Sequence, residues 1–415
     1  MHRVGPVVAL ILLSQLIIAA NPRLSDAAEQ VRAFTRSIEF DYIAWTLEAS
    51  LVKLRQSALG LERYLNEDGQ TQIVRDYMQL VAQIQTSEWQ LGNLHADPNQ
   101  DRVANEIAAL NEQLAGFHAQ REQSAPLAES ILQAQVQSIL EQHRLTTFGQ
   151  PLPPIFYHST PLPWALIVSP RTAINQVANI SLETSLGLED HIALEDEVTG
   201  KLDFSTLVVP VGGVGTYPTM VAQSSDLNWL AEVVSHEWAH NYLTLHPLGL
   251  LYLEGPELQT MNETTANIVG KEIGAALITR YYPDLAPPEL AASSAPAAEE
   301  GAEAPVFDFQ QEMHSTRVQV DALLAAGKVE EAEQYMEKRR QLFWENGFVI
   351  RKLNQAYFAF YGSYADAPIG PAGEDPVGVA VRQLRARSSS LAEFVHRMQG
   401  LTSFEALQRL LVSLD

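Results

Sequence analysis

Apolar positions fall into three rhythms along the chain. The first covers residues 24–145 and is helical. Val103, Ile107, Leu110, Leu114 and Phe117 repeat at alternating spacings of four and three, a coiled-coil-like seam. Patterns over 27–66 and 70–95 predict two partner helices, broken near Asn66–Gly69 and at Asp97-Pro98-Asn99. Pro126 is expected to interrupt or kink the third. Residues 24–150 therefore predict an antiparallel helical bundle with no evident chemistry, suited to a stalk or a gate for substrate.

The rhythm changes at Pro151-Leu152-Pro153-Pro154. Short β-like runs follow at Trp164–Val168, Ala178–Leu182, Thr206–Val211 and Thr216–Val221, with a helical segment near 186–198 among them. Pro218 lies within the last run and predicts an edge strand, the kind that pairs with an extended peptide. Gly212-Gly213-Val214-Gly215 is a turn and lacks the Lys of a phosphate-binding loop. Two longer helical patterns, near 226–245 and 258–282, complete a 151–282 core.

The third rhythm follows a stretch rich in Pro, Ala and Glu at 283–306, which reads as a disordered loop. A charged helical pair over 312–346 turns at Ala326-Gly327, and the aromatic-rich 347–364 reads as core. Residues 307–415 thus form a C-terminal helical subdomain, and the fold class is α+β. At the other end, an apolar run at 4–20 follows Arg3. Residues 1–23 read as a signal peptide or a membrane anchor, and either sends the rest out of the cytoplasm.

The chemistry concentrates in the two longer helices. His236-Glu237-Trp238-Ala239-His240 is an H-E-x-x-H motif. Histidines four apart on a helix lie about 40° apart around its axis, so both rings can take corners of one zinc site. Glu237 stands beside His236, where a carboxylate can take a proton from a water at the metal. Ser224, Ser225 and Asp226 offer the N-cap, and Pro247 places the end near Leu245. A catalytic zinc needs a third protein ligand. His246 has the spacing of H-E-x-x-H-x-x-G-x-x-H, but Leu243 stands where that pattern turns on Gly. Glu263 is the other candidate. Asn267 shares its helix face and could orient a ligating His. Ala266, Gly270 and Gly274 form a stripe of small residues that allows a second helix to approach closely.

His236-Glu237-Trp238-Ala239-His240 followed by Asn262-Glu263-Thr264-Thr265-Ala266-Asn267 resembles the gluzincin metallopeptidases. It is closer still to bacterial zinc aminopeptidases with an N-E-x-x-A-x-x-V motif and a late N-N-A-x-L…Y stretch. Here the late stretch reads Asn354-Gln355-Ala356-Tyr357-Phe358…Tyr364. The resemblance covers roughly residues 155–415. It implies a zincin-like catalytic core with a small mixed sheet, and Zn2+ held by His236, His240 and Glu263. It also implies a transition-state donor, for which Tyr364 comes first and Tyr252 and His246 follow.

Composition narrows the rest. The 415-residue chain has no Cys, so zinc ligands must be His or carboxylate. A net charge of −23 argues against nucleic acid and against docking on an anionic bilayer, leaving the N-terminal segment as the route to a membrane. The expected function is a zinc peptidase acting on peptide or protein, with aminopeptidase action implied by the resemblance. The rival is a non-catalytic, zinc-stabilised extracytoplasmic scaffold whose bundle binds a partner.

Overall fold

The computed structural model describes residues 26–59, 61–95, 100–287, 307–362 and 376–414. The apolar run at 4–20, most of the low-complexity stretch and Tyr364 lie outside the described residues. Among the described residues no helix is long and apolar enough to cross a membrane.

The fold is mixed α and β, dominated by helices. Helix α1 (Asp26–Thr35) is separate from α2 (Tyr42–Leu59), where one pattern over 27–66 predicts a single helix. It also leaves the bundle: Ala28 and Val31 pack on sheet residues Leu166, Ile180 and Leu182. Helices α3 (Glu67–His95) and α4 (Gln100–Gln142) form a long hairpin. Leu114 of the predicted seam packs there with Leu80 and Ile84. Helix α4 runs through Pro126 without ending. Burial on both sides explains this, because Ala128, Ile131, Leu132 and Val136 anchor its second half in the main core. That packing offsets the hydrogen bond that Pro removes.

The strands divide into two three-stranded sheets rather than one. In the first, β1 (Tyr157–Ser159), β6 (Thr219–Val221) and β5 (Gly213–Val214) lie in the order β1-β6-β5, with β1 parallel and β5 antiparallel to β6. In the second, β2 (Trp164–Pro170), β3 (Ala178–Leu182) and β4 (Phe204–Val209) run antiparallel in the order β3-β2-β4. One face of that sheet packs on α1 and on Leu194 and Val198 of α5 (Leu188–Lys201). Pro218 does not mark an edge. Strand β6 starts one residue after it and lies between its two neighbours, so the missing N–H falls outside the ladder. The edge beside the helix that carries His236 and His240 is β5.

The main core joins the α3–α4 hairpin to α6 (Leu227–Leu243) and α8 (Pro256–Tyr281), linked through the short α7 (Pro247–Leu250). Helices α9 (Phe309–Ala325) and α10 (Val329–Glu345) form a second hairpin, turning at Gly327 with φ 73°. Behind them α11 (Gln355–Tyr361) lays Ala356 and Phe360 on the second face of the β2 sheet, against Ala165 and Ile167. The closing helices α12 (Pro376–Ala386), α13 (Leu391–Met398) and α14 (Phe404–Val412) pack into the main core.

Candidate metal centre

Helix α6 presents both histidines. Asp226 caps it by accepting from the backbone N–H groups of Asn228 and Trp229 at 2.9 and 3.2 Å. Leu230, Ala231, Val234 and Trp238 bury its inner face. Helix α8 begins after Gly255, whose φ of 149° is open to glycine, with Pro256 at its first turn. The small-residue stripe faces α6. A Cβ on Gly270 would stand 2.9 Å from the Glu232 carbonyl oxygen and from His236 Cβ; one on Gly274 would stand 2.9 Å from the Glu232 nitrogen. This close approach brings Glu263 to the histidines.

The donor atoms converge. His236 Nε2 and His240 Nε2 are 3.0 Å apart. Glu263 Oε2 lies 3.3 Å from His240 Nε2 and 3.8 Å from His236 Nε2. All three atoms fall within 4.8 Å of one another, and among the described residues this is a group that could hold a metal ion. The outer sides of the rings are held. His240 Nδ1 donates to Asn262 Oδ1 at 2.7 Å, and Asn267 hydrogen-bonds His236. Burial would lower His240, but Glu263, with Glu237 and Asn262 adding, raises it to about 9, so its inner nitrogen carries a proton that a metal ion would displace. Tyr252 Oη donates to Glu263 Oε1 at 2.6 Å, while Glu263 Oε2 is buried without a hydrogen-bond partner. An unpartnered carboxylate oxygen aimed at two imidazole nitrogens fits a cation, and two His with one carboxylate fit zinc.

Burial, reinforced by His240, depresses His236 to about 3 and keeps it neutral, against Glu263 and Asn267. Burial alone would raise Glu263, but His240 holds it down at about 2, as a carboxylate. Glu237 is pushed up to about 7 by burial, with Glu263 adding and His240 opposing. A carboxyl poised there is matched to proton transfer near neutral pH.

These groups open on a cleft of about 830 Å³. His236, Glu237, His240, Tyr252 and Glu263 line it, together with Gly213, Val214 and Gly215. A Cβ on Gly213 would stand 2.4 Å from Glu237 Oε1, so glycine leaves the room in which the carboxylate sits.

Of the sequence candidates, the structure brings together His236, Glu237, His240, Glu263 and Asn267. His246 lies outside the group. It caps α7, and its ring packs 4.7 Å from that of Tyr242. The helix continues past Leu243 only to a Thr244 cap, without the sharp turn that would return His246 to the other donors. Tyr252 lines the cleft and donates to the Glu263 carboxylate. The roles of Asn262 and Tyr252 were not read from the sequence. Asn262 had a signal in its place beside Glu263; Tyr252 sits in a bent connection whose path no periodicity encodes.

Compared with family models, with curated proteins and with solved structures, the chain matches none.

Proposed function

We propose that this protein is a zinc peptidase of gluzincin type, built on a zincin-like core. The observation that carries the reading is the convergence of two imidazole nitrogens and an unpartnered, buried carboxylate oxygen beside Glu237 in an open cleft. A zinc ion held there supplies a Lewis acid that polarises a peptide carbonyl and acidifies a water. Glu237 takes a proton from the attacking water on its carboxylate and delivers it to the leaving amine. Asn262 and Asn267 keep the rings turned inward, and Tyr252 keeps Glu263 in place. The outer side of β5 offers an edge along which a peptide backbone can lie.

Among the described residues no fourth His, Cys, Asp or Glu joins the group, which favours an open, catalytic site over a closed structural one. The resemblance makes removal of N-terminal residues the activity to test first. The apolar run after Arg3 makes an extracytoplasmic location part of the same proposal.

The test is to measure zinc stoichiometry and to profile cleavage of a mixed peptide library, with Glu237→Gln as the comparison. Glu237→Gln should keep its zinc and lose hydrolysis by at least ~10²-fold. Unchanged hydrolysis would remove Glu237 from the mechanism.

A further inference from the structure

The cleft has a second wall that the metal chemistry does not use. It belongs to β3 and its approach, and it carries uncharged polar groups: Gln176, Asn179, Ser181 and, from the start of α2, Tyr42. Tyr42 is placed there by two local devices. The segment before it pairs with β3, through Phe40 N–H to the Ser181 carbonyl and Glu183 N–H to the Ile38 carbonyl, both at 2.9 Å. Asp41 then caps α2, accepting from the N–H groups of Ile43 and Ala44 at 3.0 Å, and Tyr42 is its first residue.

The Tyr42 hydroxyl donates to Ser181 Oγ at 2.7 Å. Burial raises Tyr42 above the ordinary phenol range; the Ser181 bond opposes this and the Glu237 carboxylate adds to it, so the hydroxyl remains a donor. Once Ser181 Oγ has accepted from Tyr42, its own proton is available to an acceptor in the cleft. Gln176 offers the complement, since its Oε1 is buried and has no hydrogen-bond partner. One donor and one acceptor along a wall match the C=O and N–H groups of a peptide backbone. Among the described residues, those lining the cleft include no Lys or Arg to pair with a carboxylate or phosphate.

We infer that Tyr42, Ser181 and Gln176 form a backbone-binding subsite for an extended peptide, with Ser181 donating to a substrate carbonyl and Gln176 accepting a substrate N–H. The inference rests on the peptidase reading and extends it: the N-terminal segment completes the cleft.

The test uses the full chain loaded with zinc and fluorogenic peptides graded from dipeptides to about ten residues. Neutral hydrogen bonds of this kind are modest, so Tyr42→Phe and Ser181→Ala should each raise KM about three- to tenfold on the longest peptides. Zinc content should hold and kcat should stay within about twofold, because the contact is uniform binding, and dipeptides, whose single peptide bond cannot reach the metal group and the wall together, should be unaffected. A KM unchanged at every length would overturn the subsite. So would an equal loss on dipeptides and long peptides, the result of a merely structural role. Failure of the peptidase reading shows separately, as no hydrolysis by the parent protein. Binding of the same peptides to Glu237→Gln, with and without Tyr42→Phe, then decides: weaker binding of long peptides by the double variant supports the subsite, and equal or absent binding overturns it.

Discussion

The Glu237 carboxylate occupies space that a side chain at 213 would fill. A Cβ there meets Glu237 Oε1 at 2.4 Å and Cγ at 2.7 Å. The atoms in the way belong to a side chain that can move, so on the peptidase reading Gly213→Ala should fold and keep zinc while the proposed base is displaced. Hydrolysis should fall by about tenfold or more; unchanged kcat with unchanged zinc would show that the position of the base is not set by this gap. A second pair of variants separates the candidate ligands. Glu263→Ala should lose zinc on dialysis against a weak chelator, and His246→Ala should keep it, because His246 packs on Tyr242 rather than at the metal group. The reverse result would overturn the assignment. At this scale the sequence was informative where spacing alone sets geometry. His236 and His240 share a helix face by their separation of four, and Asn267 shares one with Glu263 for the same reason. Tyr252 was legible as a candidate donor but not as a partner of Glu263, because Gly249 and Gly255 bend the chain there in ways that side-chain periodicity does not record.

Helices α6 and α8 act as one unit, and the glycines between them set their separation. Gly270→Ala would place a Cβ 2.9 Å from the Glu232 carbonyl oxygen, a backbone atom that cannot swing aside. The helices must part, at a cost of about 1–3 kcal/mol. Because Glu263 rides on α8 and both histidines on α6, zinc affinity should weaken along with the urea midpoint. Gly200→Ala is the control: its Cβ meets nothing within 4 Å, and the change should be neutral or slightly stabilising. A Gly270→Ala protein with native stability and native zinc affinity would show that the contact is slack. The small-residue stripe announced a close helix partner, though not which helix. Strands were legible in the same partial way. Ala178–Leu182 was read with its observed bounds, since branched residues and alternation mark a strand locally. Alternation assigns faces and not neighbours, so the division into two sheets and the central place of β6 lay beyond it.

Across the whole molecule, a buried ion pair ties α2 to α4. Lys53 bonds Glu129 with both side chains almost fully enclosed, and Glu129 also accepts from Ser159 N–H at 2.9 Å on β1. Burial by itself would raise Glu129, but Lys53 and then His158 hold it down at about 2. A carboxyl depressed in the folded state contributes stability above its unfolded value near 4.5 and loses it as pH falls towards about 2. Glu129→Ala alone leaves Lys53 buried without its partner and should cost about 3–5 kcal/mol at neutral pH. The gap in urea midpoint between wild type and this variant should narrow as pH falls through that window. A gap independent of pH would mean that packing, not charge, holds the joint. The pairing links residues 76 positions apart and was invisible in the sequence, where Lys53 and Glu129 are ordinary helix charges. The same is true of α1, whose apolar face fits a bundle as well as it fits the sheet it covers.

The cleft wall also has an order in time. Phe360 lines the same cleft as His236 and Glu263, yet it is made 97 residues after Glu263. A chain still leaving the ribosome therefore carries His236, His240 and Glu263 before α11, which covers one face of the β2 sheet, has been made. On the proposed reading, a nascent molecule already carries the metal group and the polar peptide-binding wall, and lacks only the apolar side of the cleft that Phe360 supplies.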